Sequence, residues 1–145
     1  MTRGEIAALF ARRQEAWQRR DATALANDYA DDAVAESPMQ GHLQGRSRIH
    51  LVYSSWFGSF PDLAFTSREL LIDGHRVAEV YEVTGTQSAA FGGVPATGRR
   101  VEFKGVWLYT LSAEGTIVAD ERLYDVTNVL VQLGVLRTKP VEKTS

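Results

Sequence analysis

The sequence predicts a single α+β domain, because helical periodicity fills roughly its first 60 residues and strand periodicity most of the rest. Two further observations agree. Asp73-Gly74, a strong two-residue hairpin signal, sits between two apolar runs. No internal repeat or linker divides the chain, and 145 residues are too few for two comfortable cores. A strongly twisted sheet with helices on one side can curl into a cone, leaving a central pocket between the layers.

The first helix opens on Thr2 and Glu5, a T-x-x-E capping pattern, and carries Ile6, Leu9, Phe10, Arg13 and Trp17 on one stripe. Arg13 is expected there as an aliphatic stem with its charge in water. Asp21 reads as the N-cap of a short second helix with Leu25 and Tyr29 on one face. Ala33 to Ser37 could be a strand, and the two glycines in Met39 to Gly45 predict loop or a short edge strand. The helical period returns from Arg46 through Ile49, Val52, Tyr53, Trp56 and Phe60, and Pro61 ends it.

Strands then follow. Leu63–Ile72 and Val77–Thr84 flank the hairpin turn, and a register placing Ile72 opposite His75 would set Arg68 opposite Glu79. Gly85 to Gly98 has no regular period, and a loop that long is usually mobile or functional, which suggests closure over the pocket. In Val101–Leu111 the residues Val101, Phe103, Trp107, Tyr109 and Leu111 share a face with Gly105 between them. In Thr116–Asp125 simple alternation groups Ile117, Ala119, Glu121, Leu123 and Asp125, with Asp120, Arg122 and Tyr124 opposite. One bulge would reverse that assignment. A last short helix over Val126–Leu133 closes a domain of residues 1–136, and 137–145 reads as a polar tail.

Composition narrows the function classes. With 44% hydrophobic and 23% charged residues the chain is globular, and such a length buries roughly 68–70% of the unfolded surface without staples. A net charge of −2 gives no electrostatic reason to expect nucleic acid or an anionic membrane as partner. The absence of cysteine excludes disulfides, thiolate nucleophiles and cysteine-ligated metals. The N-terminal stretch is too soon interrupted by Arg12, Arg13 and Glu15 for a signal peptide or membrane span, so the cytoplasm is the expected location. His42, His50 and His75 show no metal-ligand spacing; no metal and no cofactor is expected.

Several ordered segments carry a resemblance: Tyr29-Ala30-Asp31-Asp32, Ser37-Pro38, Gly45-Arg46, Phe60-Pro61-Asp62-Leu63, Thr97-Gly98-Arg99, and Tyr124-Asp125 through Gln132-Leu133-Gly134. Together they resemble the SnoaL-like polyketide cyclase family of the nuclear transport factor two-like superfamily. The resemblance implies a cone-shaped, curved mixed sheet packed against three N-terminal helices, a homodimer formed through the sheet, and a pocket for a small hydrophobic organic ligand. It also implies cofactor-independent chemistry such as intramolecular aldol closure of a polyketide. Related folds host isomerases, epoxide hydrolases and proteins without catalysis.

Asp125, at the end of the last strand, is where this family often places an acid that transfers protons. In an apolar pocket desolvation would raise its pKa from about 3.9 toward a useful base. Its position just before the last helix fits an N-cap equally well. His42 could meet a substrate carbonyl from the pocket rim, or lie on a surface loop. Trp17, Tyr29, Tyr53, Trp56, Phe60, Phe91, Trp107 and Tyr109 are the candidate substrate-binding aromatics; most are equally expected as core, and about half are expected to touch ligand. Arg122 could orient a substrate anion, or form a solvated or interfacial ion pair. Three readings follow: an acid–base enzyme on a hydrophobic carbonyl compound, a related isomerase or epoxide hydrolase, and a non-catalytic ligand-binding dimer module.

Overall fold

The first helix, α1, spans Arg3–Gln18, and Thr2 caps it by accepting from the Glu5 amide at 3.1 Å. Asp21 caps α2 (Ala22–Asn27) through the Ala24 amide at 3.0 Å. The third helix, α3, covers Arg46–Ser59 and stops before Pro61. The strands are β1 (Tyr29–Ser37), β2 (Gly41–Gln44), β3 (Ala64–Asp73), β4 (Arg76–Thr86), β5 (Arg100–Leu111) and β6 (Ile117–Tyr124), and α4 covers Val126–Gln132. The computed structural model describes residues 1–137 and 139–141; much of the expected polar tail therefore lies outside the described residues.

The six strands form one curved, unclosed mixed sheet in the order β2-β1-β6-β5-β4-β3. Among the described residues only β1 and β6 run parallel. That pairing joins Tyr29 to Ile117 and draws β1 back to Tyr29, earlier than the expected start at Ala33. Tyr29 thereby leaves the second helix and enters the sheet, fully buried.

Two registers differ from the simple expectation, and each bulge has a consequence for the interior. In the β3–β4 hairpin the last pair is Asp73 with Arg76, so the turn is Gly74-His75, with Gly74 at φ 59. Glu79 faces Leu70, and the break in register between Ser67 and Glu69 frees Arg68 to pair with Glu82. Glu79, with no arginine opposite it, is buried instead. In β6, Ile117 pairs with Leu111 and Ala119 with Thr110, which leaves Val118 as an extra residue. Alternation therefore restarts. Asp120 and Arg122 point inward, while Glu121, Leu123 and the following Asp125 are exposed.

The core lies between the inner sheet face and helices α1 to α3. Trp17 stacks on Phe65 with ring centroids 4.1 Å apart, Phe10 meets Tyr109 edge-on at 4.9 Å, and Tyr53 stacks on Trp107 at 5.9 Å. The segment 87–99 is a pinned loop. Gln87, wholly buried, donates to the Val94 carbonyl and accepts from the amide and hydroxyl of Thr97. Ser59 bonds the Ala90 carbonyl, and Phe91 is buried against Trp56 and Phe60.

At the other end, the Gln132 side chain donates to the Glu102 carbonyl at 2.8 Å and accepts from its amide at 2.6 Å. It thus occupies the edge of β5 that β6 leaves free beyond Tyr124, and it ties α4 to the sheet.

Candidate functional site

A narrow, largely filled cavity enters between the helices and the inner sheet face. Trp17 of α1 and Tyr53 and Trp56 of α3 form one side. Leu63 and Phe65, with Tyr81 and Val83 of β4, form a second. Phe103 and Trp107 of β5, Arg122 and Tyr124 of β6 and Ser37 of β1 complete it. The wall is almost entirely aromatic and aliphatic, and Arg122 is its one charged residue. Tyr81 reaches across at Gly105, where any side chain would collide with the Tyr81 hydroxyl and the Leu123 carbonyl. Glycine there keeps this wall flat.

Arg122 is 4% exposed, with its Nε donating to Asp120 at 3.2 Å and its guanidinium carbon 4.4 Å from the Trp107 ring centroid. Burial opposes its charge, but the Asp120 carboxylate outweighs this and holds its pKa above the ordinary value. Behind it runs a buried polar chain. Arg13 Nη2 donates to the Tyr53 hydroxyl at 2.9 Å, the Tyr53 and Tyr29 hydroxyls are 2.9 Å apart, and Tyr29 donates to Asp120 at 2.5 Å. Because Tyr29 gives its proton to Asp120, Tyr53 must give its own to Tyr29. Desolvation raises the pKa of both tyrosines.

Arg13 does not reach water as its sequence position suggested. It is 1% exposed and also bonds the Leu25 carbonyl at 2.9 Å and Asp28 at 2.8 Å. Its stripe position on α1 faces a polar pocket inside the core, so its charge is met by partners there instead of by solvent.

Asp125 lies elsewhere. Its carboxylate accepts from the Asn128 amide at 3.0 Å as the N-cap of α4, and the residue is exposed. Of the two places the sequence left open for this acid, the structure shows the N-cap, and beyond the Val118 bulge Glu121 and Leu123 face outward ahead of it. Asp125→Ala is expected to cost about 1 kcal/mol of stability, as lost caps do. Urea unfolding would show that loss, with ligand binding in the cavity unchanged. His42 also sits off the cavity: it is 54% exposed on edge strand β2, paired with Glu36, whose hydrogen bond raises the imidazole pKa.

Of the eight candidate aromatics, Trp17, Tyr53, Trp56 and Trp107 line the cavity. Tyr29 and Tyr109 are fully buried behind it, and Phe60 and Phe91 support Trp56 without joining the wall. Sequence reasoning missed Phe65, Tyr81, Phe103 and Tyr124 as lining residues, and set Asp120 on the outer face. Alternation along β5 would have found Phe103; the bulge hid Asp120.

Glu79 is a second buried acid on the inner face, and the Tyr109 hydroxyl donates to it at 3.5 Å. Desolvation lifts its pKa from 4.5 to about 6, partly countered by the Arg13 charge and by Ser67 and Tyr109. The folded protein thus binds this proton more tightly than the unfolded chain. The associated stability is complete below about pH 4.5 and is lost as the pH rises through about 6. The loss is expected to be about 2 kcal/mol. Urea unfolding over that range should show a falling contribution in the wild type relative to Glu79→Gln.

The model of the family described as SnoaL-like polyketide cyclase matches residues 7–133. Among curated proteins no sequence matches. Among solved structures the chain is similar to AclR, a candidate hydroxylase from Streptomyces galilaeus, at 26% identity and a TM-score of 0.81, over 96% of this chain and 91% of that one. It is similar to IdmH, a candidate polyketide cyclase from Streptomyces antibioticus, at 29% identity and a TM-score of 0.71, over 90% and 99%. A Catenulispora acidiphila protein of ketosteroid isomerase-like fold, at 20% identity and a TM-score of 0.73 over 93% and 96%, shares the fold.

Proposed function

The chain belongs to the SnoaL-like polyketide cyclase family, and we propose that it is a cofactor-independent acid–base enzyme acting on a small hydrophobic carbonyl compound. Aldol closure of a polyketide is the reaction it suits best. The observation that carries the reading is Arg122: a buried cation on an otherwise apolar wall, bonded to a buried carboxylate. An apolar substrate fills the aromatic space, and its carbonyl oxygen faces the guanidinium. Negative charge that develops as an adjacent C–H proton leaves is then stabilised in a water-poor site.

Asp120 is the acid–base group of this proposal, in place of Asp125. It stands behind the wall and reaches the cavity through Tyr29 and Tyr53, whose hydroxyls form a continuous donor line toward it. A proton taken at Tyr53 moves the Tyr53 proton to Tyr29 and the Tyr29 proton to Asp120. Both phenols stay neutral, as their raised pKa values favour.

The test is solvent exchange at carbon. Proton NMR in deuterium oxide would follow loss of the α-protons of 2-tetralone. Exchange catalysed by the wild type and removed by Asp120→Asn supports the reading; binding of the ketone with no catalysed exchange rejects it. The second outcome would favour a non-catalytic binding module, which the full engagement of Asp120 by Tyr29 and Arg122 also suits. Oxygen from labelled water appearing in product would indicate hydrolysis, as an epoxide hydrolase performs.

The outer sheet face supports the homodimer in this reading. Leu71, Ala78 and Leu108 form one cross-strand row, and Val80, Val106 and Leu123 a second. Leu71 and Leu123 are 55% and 44% exposed. Neither nucleic acid nor membrane is a partner in this proposal, and a cytoplasmic setting accords with the lack of cysteine. Among the described residues no helix is long and apolar enough to cross a membrane.

A further inference from the structure

The sheet is open, so β2 and β3 are its edge strands. An edge presents N–H and C=O groups that its one neighbour does not use, and a long exposed edge is a template for another chain. Strand β2 has 4 residues and offers little of this; β3 has 10. Along β3, side chains of α1 and of the residue that follows it take four of the outward groups. Gln14 Nε2 donates to the Phe65 carbonyl at 2.8 Å, and Gln14 Oε1 accepts from the Ser67 amide at 3.0 Å. Arg20 Nε donates to the Leu63 carbonyl at 3.0 Å, and Arg3 Nη1 donates to the Ile72 carbonyl at 3.3 Å. The stretch between them is blunted otherwise: the register breaks between Ser67 and Glu69, and Arg68 and Glu69 are exposed charges.

Two features separate these contacts from ordinary helix–sheet packing. One carboxamide serves a carbonyl and an amide two residues apart, the pair of groups that a further strand would bond. Arg20, just past α1, has φ 53 and is the one non-glycine residue with positive φ among the described residues. Glycine is the usual residue at that place after a helix, because a Cβ is strained there. Arginine adds what glycine lacks, a side chain that reaches the β3 edge. Beside Gln14 and Arg20 an open groove runs between α1 and residues 63–67. The edge is thus closed by side chains, and there is room next to the strand once they are gone.

We infer that Gln14, with Arg20, holds the β3 edge shut against strand addition, and that the occupant it excludes is β3 of a second copy of this chain. A second copy fits because a two-fold axis pairs the strand antiparallel with itself, so that each copy satisfies the same groups on the other. Such pairing would join two sheets edge to edge, unlike association through the outer sheet face. The inference is independent of the chemistry of the cavity.

The experiment combines sedimentation velocity over a range of protein concentrations with hydrogen exchange at the Ser67 amide. In the wild type that amide should be protected to the same degree at every concentration. Gln14→Met keeps the length and helix preference of the side chain and removes both polar atoms. It should raise Ser67 exchange about 10-fold or more in dilute protein, as loss of one hydrogen bond allows. As its concentration rises, a species of twice the wild-type mass should form, and Ser67 protection should return with it. Gln14→Glu also loses the donor to Phe65, but it sets a charge at the edge, and charged edges resist strand pairing. Its mass should stay that of the wild type. Arg20→Gly alone should unfold in urea no earlier than the wild type, and added to Gln14→Met it should strengthen the association.

An unchanged Ser67 rate in Gln14→Met, or a raised rate with no growth in mass, would overturn the inference. Equal association of Gln14→Met and Gln14→Glu would overturn it as well, since that marks a general loss of stability and not an opened edge.

Discussion

Replacing Asp120 by alanine is expected to destabilise the protein by about 3–5 kcal/mol, the usual result of removing one partner from a buried ion pair. The Asp120 side chain is 0% exposed and holds two donors, Arg122 Nε and the Tyr29 hydroxyl. Without it Arg122 keeps its charge in an apolar wall, and Tyr29 has no acceptor for its proton. The chain through Tyr53 to Arg13 then loses its direction, because nothing at its inner end requires the phenol protons to point that way. The pair itself has a different energetic weight from either member. Asp120→Ala combined with Arg122→Met removes both charges, and most of the lost stability should return. A double-mutant cycle in urea, read at constant m-value, separates the two. A loss below about 1 kcal/mol for Asp120→Ala would show that water reaches the pair freely.

The same residues show how much of the site was legible in the sequence. Helix boundaries and caps were readable because their causes are local: Thr2, Asp21 and Pro61 act within a turn of themselves. The inner face of β5 was readable for a similar reason, since that strand runs unbroken from Arg100 to Leu111. The buried acids of the inner face were not, because two bulges decide which of them point inward. An extra residue at Val118 exchanges the faces of Asp120 and Asp125, and the break at Arg68 sends that arginine to Glu82 and leaves Glu79 buried. Bulges arise from pairing with a distant strand, and nothing in the local order of residues marks them. Arg13 was misjudged on different grounds. Its place on an apolar stripe was read correctly, but the partners that hold its charge, Asp28 and Tyr53, come from other elements.

Arg122→Lys is expected to lower the rate of catalysed proton exchange by about 10²–10³, the usual loss when a donor to a developing oxyanion is removed. Lysine keeps a positive charge beside Asp120, so the pair survives and the fold is disturbed less than by a neutral residue. It lacks the geometry to serve two sides together. The guanidinium gives Nε to Asp120 and still presents Nη2, without a partner among the described residues, on a side chain that lines the cavity. A single ammonium drawn to Asp120 leaves the cavity without that donor. Charge on the substrate oxygen is small in the bound ketone and large once the α-proton has gone, so the deficit should fall on kcat and leave KM for 2-tetralone nearly unchanged. An effect confined to KM would mean that Arg122 holds the ground state only. An unchanged rate would place the developing charge elsewhere on the wall, where Trp17, Trp107 and Tyr124 also carry buried donors without a partner among the described residues.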